Sequence, residues 1–138
     1  MKPEMPWGGG RILELDTEEC WELMGGRETG RVGWGGPEGQ TIHPVNHAVG
    51  NGAVWLRTTA YSSLAREADE SPVAFQVDDI DDVTRAGWSV LVRGTAHLTW
   101  PGEAARDLPE LEPWVEGLRP VWVQIRPTAV TGRRLLPR

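Results

Sequence analysis

The chain carries a single cysteine, Cys20, among its 138 residues. One thiol cannot close an internal disulfide, and without a second it cannot build a cysteine-ligated zinc site. Positive charge is scarce as well: 14 Lys and Arg stand against 20 Asp and Glu, a formal net charge of −6. A nucleic-acid partner is not expected, because affinity for phosphates needs a basic surface. Long apolar runs are missing. The stretch Trp88-Ser89-Val90-Leu91-Val92 is among the longest, far short of the about 20 residues of a membrane helix. The opening MKPEMPWGGG has a Lys but no apolar core of signal-peptide length, so no secretory leader is expected. These absences point to a cytoplasmic chain. Its length suits one domain over residues 11–138, preceded by a loose Gly- and Pro-rich arm over 1–10. Tyr and Phe occur once each, whereas Trp occurs eight times. So much indole area belongs in a core or an interface.

The local patterns favour strands over helices. Asp16 or Thr17 can cap a helix, Glu18 and Glu19 suit its positive first turn, and Gly25-Gly26 ends it, so a short amphipathic helix is predicted over 16–25. The period then changes to two. Strands are predicted over 30–34, 40–47 and 53–59, with turn chemistry at 35–39 and a hairpin turn at Asn51-Gly52. A short helix is expected over 62–68 and a strand over 72–77. The run Asp78, Asp79, Asp81, Asp82 is read as a solvated acidic connection. Residues 88–99 alternate cleanly, with Trp88, Val90, Val92, Ala96 and Leu98 on one face. One or two helical turns are expected over 102–117, interrupted by Pro109 and Pro113. Final strands at 119–125 and 129–136 would be separated by Pro127. Strands joined by tight hairpins make a mainly antiparallel sheet, and six or seven of them with few helices suggest a small barrel without exposed edges.

One cluster stands out in this acidic chain. The strand at 53–59 runs into Arg57, Thr58 and Thr59, and Ser62 and Ser63 follow where a helix begins. A guanidinium fork, several hydroxyls and a helix start could together hold a phosphate. The same residues could equally cap the helix and form a surface ion pair. His43 and His47 are four apart, which is metal-ligand spacing on a helix. On the predicted strand they would lie about 13 Å apart, so no metal site is expected. The acidic run lacks the Gly and Glu positions of a calcium loop. Cys20 reads as a buried thiol.

Four segments occur in a telling order: LDTEECWELM before GRVGW, IHPVNHAV before NGAVWLRT, VAFQVDDID before GWSVLVRGTA, and WVQIRPTAVTGRR at the end. Over roughly residues 12–135 the chain resembles the flavin-binding split-barrel proteins related to pyridoxamine 5′-phosphate oxidase, in their small actinobacterial-type branch. The resemblance implies a mainly β fold, a six-stranded antiparallel split barrel. It also implies a homodimer with flavin mononucleotide (FMN) in a groove between subunits, and a small-molecule substrate or electron donor. Deazaflavin-using reductases share that fold and are the alternative, as is a flavin carrier or cofactor-free barrel without enzymatic activity. By resemblance, Arg57, Thr58, Thr59, Ser62 and Ser63 hold the cofactor phosphate. Pro44, Val45 and Asn46 would run beside the isoalloxazine ring, or form an edge strand that the proline interrupts. Trp88 and Ser89 would touch the ring or ribityl chain, or Trp88 would serve the core or dimer interface. Arg133 could place a cation near the partner subunit's cofactor, or belong to a solvated basic tail. The flavin carries the redox chemistry in such proteins, so no catalytic side chain is assigned. Two positions depart from the family pattern: Tyr61 and Ser63 stand where many relatives have Gly and Lys, which removes one cation from the phosphate site. The ending TGRRLLPR has no His, so true pyridoxamine 5′-phosphate oxidase activity is not expected.

Overall fold

The computed structural model describes residues 10–103 and 108–137. In chain order the elements are β1 (Arg11–Leu15), α1 (Thr17–Gly25), β2 (Thr29–Gly36), β3 (Gly39–Asn46), β4 (Ala48–Gly50), β5 (Ala53–Thr58), α2 (Ser63–Glu67), β6 (Pro72–Ile80), β7 (Gly87–Thr99) and β8 (Val121–Leu136). All strand pairs are antiparallel, in the order β3-β2-β6-β7-β8-β5-β4, with β1 added on β8. The expected six-stranded split barrel is β2, β3, β5, β6, β7 and β8, extended by β1 and the short β4. The first and last strands of that order, β3 and β4, are consecutive in the chain, with His47 alone between them. A sheet whose two edges are joined by one residue has to curl on itself. No helix among the described residues is long and apolar enough to cross a membrane.

Alternation decides which faces meet. Trp88, Val90, Val92, Ala96 and Leu98 of β7 are buried, as their spacing predicts. Val73, Phe75 and Val77 of β6, and Val121, Val123 and Ile125 of β8, complete the same interior. Burying each such side chain contributes about 1.5–3 kcal/mol. Helix α1 starts where predicted: the Asp16 carboxylate accepts from the Glu19 N–H at 2.8 Å. It closes one end of the barrel by inserting Cys20 and Met24, both fully buried. Burial raises the Cys20 pKa, and Asp16 and Glu19 raise it further, so this thiol stays protonated and unreactive. Helix α2 is fastened to β2 by the Trp34 indole, which donates to Glu67 at 3.1 Å.

Three expectations change. Pro127 does not split the last strand, because β8 runs unbroken from Val121 to Leu136. The register shifts between Arg93 and Gly94, so that Gly94 faces Pro127 and Arg93 faces Ala129. A bulge thus absorbs the missing N–H, and the extra residue, Thr128, donates its hydroxyl to the Arg93 carbonyl at 3.1 Å. Asp78 and Asp79 are not in a connection but in β6, where Asp78 accepts from Gln76 at 2.7 Å and lies 3.6 Å from Arg31, while Asp79 lies 3.6 Å from Arg27. Only Asp81 orders the turn, accepting the Val83 and Thr84 N–H groups at 2.8 and 3.0 Å. The helical turns expected over 102–117 are absent among the described residues, and 108–120 form an irregular strap leading into β8. Residues 104–107 of that expectation, and residues 1–9 of the expected arm, lie outside the described residues.

His47, at the closure, is 4% exposed. Its Nε2 lies 2.9 Å from the Met24 carbonyl, and its N–H donates to the Glu28 carbonyl at 3.0 Å. The carbonyl fixes the proton on Nε2, and the buried Nδ1 has no partner. Burial lowers the imidazole pKa from its ordinary 6.5, opposed in part by the bond to Met24. The fold therefore holds His47 neutral. Its stabilising effect is complete above the unfolded-state value and is lost as pH falls below it toward the lowered folded value. Denaturant titrations between pH 8 and 5 should show wild type losing stability over that window. His47→Gln, which keeps a donor but does not titrate, should show a flatter dependence. If the two curves run parallel, His47 is not the titrating group. The bulge gives a second test. A Cβ at Gly94 would be driven into the Arg126 carbonyl, whereas one at Gly50 would meet nothing within 4 Å. Gly94→Ala should therefore cost about 1–3 kcal/mol and Gly50→Ala less than about 0.5 kcal/mol, measured by the same titration.

Candidate functional site

Curling the sheet brings the end of β3 across from the end of β5. Between them lies a cleft of about 200 Å³. Six of the eleven residues singled out from the sequence line it together: Pro44, Val45, Asn46, Arg57, Thr58 and Ser62. These come from segments 11 or more positions apart in the chain, and only closure of the barrel makes them neighbours. Pro44 is tolerated because β3 is an edge strand paired only with β2. The strap supplies the outer wall through Pro113, Val115 and Arg119.

Arg57 organises this place. Its Nε donates to the Arg119 carbonyl at 3.1 Å and its Nη1 to the Leu111 carbonyl at 3.0 Å. Its guanidinium lies 5.1 Å from the centre of the Trp122 ring, a cation–π contact that restrains the side chain. A guanidinium has five N–H donors, so two bonds to the strap leave the rest for a ligand. Asn46 fastens the strap at a second point: its Oδ1 accepts the Trp114 N–H at 2.8 Å, and its Nδ2 donates to the Glu28 carbonyl at 3.3 Å.

The hydroxyls are engaged locally. Thr58 donates to Ser62 at 2.7 Å, and Ser62 donates to the Thr59 carbonyl at 3.0 Å and accepts the Ala65 N–H at 3.1 Å. Ser62 is thus the N-cap of α2, the role that the local sequence left open. Ser63 faces elsewhere, lining a depression with Thr41, His43 and Arg66. Thr59 is half-buried beside the cleft and lines none of these cavities.

The remaining three residues sit together on another face. Ser89 lies opposite Arg133 in the β7–β8 ladder. With Trp88 they border an apolar depression of about 320 Å³ completed by Ile12, Ile80 and Leu135. Ser89 also borders a larger, more polar hollow with Gln76 and Arg133. The two regions share no lining residue with the β3–β5 cleft. The strap's part in the cleft is not foreseen from the sequence: Pro113 and Val115 are expected in helical turns and Arg119 at the start of a strand, whereas they form an irregular stretch before β8.

Charge separates the cleft from its surroundings. Its lining holds two guanidiniums, Arg57 and Arg119, and no carboxylate, in a chain of net charge −6. On the other side of the strap, a hollow of about 290 Å³ is lined by Glu28, Glu110 and Glu112 with Arg27. Asn46 borders both. The first place suits an anion and the second does not.

Comparison with known proteins places the chain among relatives of the same fold. An uncharacterised protein of Mycobacterium tuberculosis is 36% identical over 137 residues, covering 95% of this chain and 90% of its own. The solved structure of an FAD binding protein from Mycobacterium smegmatis superposes with a TM-score of 0.70 at 31% identity, covering 90% of this chain and 98% of that one. A conserved protein of unknown function from Corynebacterium diphtheriae gives a TM-score of 0.73 at 28% identity, covering 91% and 98%. The family model described as pyridoxamine 5′-phosphate oxidase matches residues 16–134, and the chain belongs to that family.

Proposed function

We propose that the protein binds a phosphorylated flavin, FMN, and serves as a cytoplasmic flavin-dependent oxidoreductase. The observation that carries this reading is the carboxylate-free cleft with two guanidiniums in an acidic chain. Arg57 is the main contact for the phosphate, because it is held by the strap and by Trp122 with donors to spare. The edge of β3 at Pro44–Asn46 offers backbone groups to the polar rim of the ring. The bound flavin supplies hydride or electron transfer, and the protein supplies position and electrostatics. The relative from Mycobacterium smegmatis, named for FAD, supports a flavin.

About 200 Å³ is below the about 300–1,000 Å³ of a complete small-molecule site. On this reading one chain forms part of the site and a second copy completes it. The apolar depression around Trp88, Ile80 and Leu135 is the surface we assign to that contact. Exposed apolar surface that is continuous in this way marks an association site. Its edge carries Ser89 and Arg133, so dimerisation is the step that would bring them to the partner's flavin.

Two measurements test this. Light scattering at micromolar concentration should give a dimer, and Ile80→Glu, next to Asp79 and Asp81, should shift it toward monomer. A monomeric wild type refutes the shared site. Fluorescence titration of cofactor-free protein should show FMN binding more tightly than riboflavin, which lacks the phosphate. Arg57→Ala should weaken FMN by roughly ten- to hundredfold, the effect of losing a charge-assisted hydrogen bond. Because Arg57 also holds the strap, riboflavin is the control: loss of the strap alone would weaken both ligands equally. Equal binding of FMN and riboflavin to wild type would end the phosphate reading.

A further inference from the structure

We infer that Arg119, on the strap rather than on the barrel, is the second phosphate-binding cation of the cleft. The inference rests on the phosphate reading above and adds to it a residue outside the strand–helix cluster. Three observations converge. The hydroxyls that a phosphate could have used are already engaged: Ser62 donates to Thr59, accepts from Ala65 and receives the Thr58 hydroxyl. Arg57 gives two of its donors to the strap. Arg57 carries one positive charge against the two negative charges of a phosphate dianion, and Arg119 is the other guanidinium in the lining.

Its side chain is available and its backbone is ordered. Among the described residues no carboxylate lies within ion-pair distance of Arg119, although the strap carries Glu110, Glu112 and Glu116. Of these carboxylates, Glu110 and Glu112 line the hollow on the opposite side, and none of the three lines the cleft that Arg119 borders. The Arg119 carbonyl accepts from Arg57 Nε at 3.1 Å, which ties the Cα of one cation to the side chain of the other. Pro120 follows and favours an extended backbone at residue 119, just before β8 begins at Val121. Two planar forks lining one cleft suit the several oxygens of a phosphate monoester. Half-burial of the pair weakens screening by solvent and salt.

Titrations of cofactor-free wild type, Arg119→Gln and Arg119→Lys with FMN and riboflavin, followed by flavin fluorescence, test the assignment. Neither substitution touches the backbone carbonyl that Arg57 holds, and circular dichroism checks the fold of each. Arg119→Gln should weaken FMN by roughly ten- to hundredfold and leave riboflavin unchanged. Arg119→Lys should stay much closer to wild type, because the charge remains. Inorganic phosphate should compete with FMN on wild type and less well on Arg119→Gln. If wild type prefers FMN to riboflavin but Arg119→Gln binds FMN as wild type does, the Arg119 assignment is wrong while the cleft reading stands. If Arg119→Gln weakens both ligands alike, Arg119 is a wall of the cleft rather than a phosphate ligand. If wild type does not distinguish the two flavins, the cleft reading falls and Arg119 with it.

Discussion

His47 is the one residue between the two edge strands of the sheet, and the rest of the architecture depends on that short link. A sheet in the order β3-β2-β6-β7-β8-β5-β4 has its edges at opposite ends, and a single residue can join them only if the sheet is closed. The backbone and ring of His47 are bonded to Glu28 and Met24, which ties the closure to the end of α1 and to the residue before β2. Its ring also meets Phe75 edge-on at 5.0 Å, which ties the link to the core. An unpaired buried Nδ1 is a cost that this position accepts in return for rigidity.

Closure sets the distance between β3 and β5, and Arg57 uses it. From β5 its guanidinium reaches across to the strap, binds two carbonyls and rests against Trp122. Asn46, from β3, holds the strap at Trp114. An irregular segment with no ladder of its own is thereby held at two points by residues from two strands. The strap has few other means of order, since its side chains at Trp114, Val115 and Leu118 are largely exposed. Asn46 and Arg57 therefore both line the cleft and fasten the strap that forms its outer wall.

Legibility in the sequence followed the reach of each interaction. The face of β7 was readable because strict alternation from Trp88 to Leu98 reports one buried side. The cap of α1 was readable because Asp16 and Glu19 are three residues apart. By contrast β1 was not foreseen. Its residues Ile12, Leu13 and Leu15 do not alternate, and its partner lies at Gly132–Leu136, more than a hundred positions away. Pro127 looked like a break for a similar reason: the Gly94 that accommodates it is on another strand. Asp78 and Asp79 looked like loop residues because their partners, Arg31 and Arg27, are distant in sequence.

The sequence by itself determined the class of the fold, the positions of both helices and the candidate residues. These depend on local periodicity, on caps and on an ordered set of segments. Tertiary structure decided which candidates meet. It gathered six of them into one cleft, set Trp88, Ser89 and Arg133 on another face, and turned Ser63 away. It also assigned Ser62 to the helix cap and brought in Arg119 from the irregular strap. The physical reason is that a side chain's partners are set by the closure of the barrel and by long-range pairing. Neither leaves a mark in the residues immediately around it.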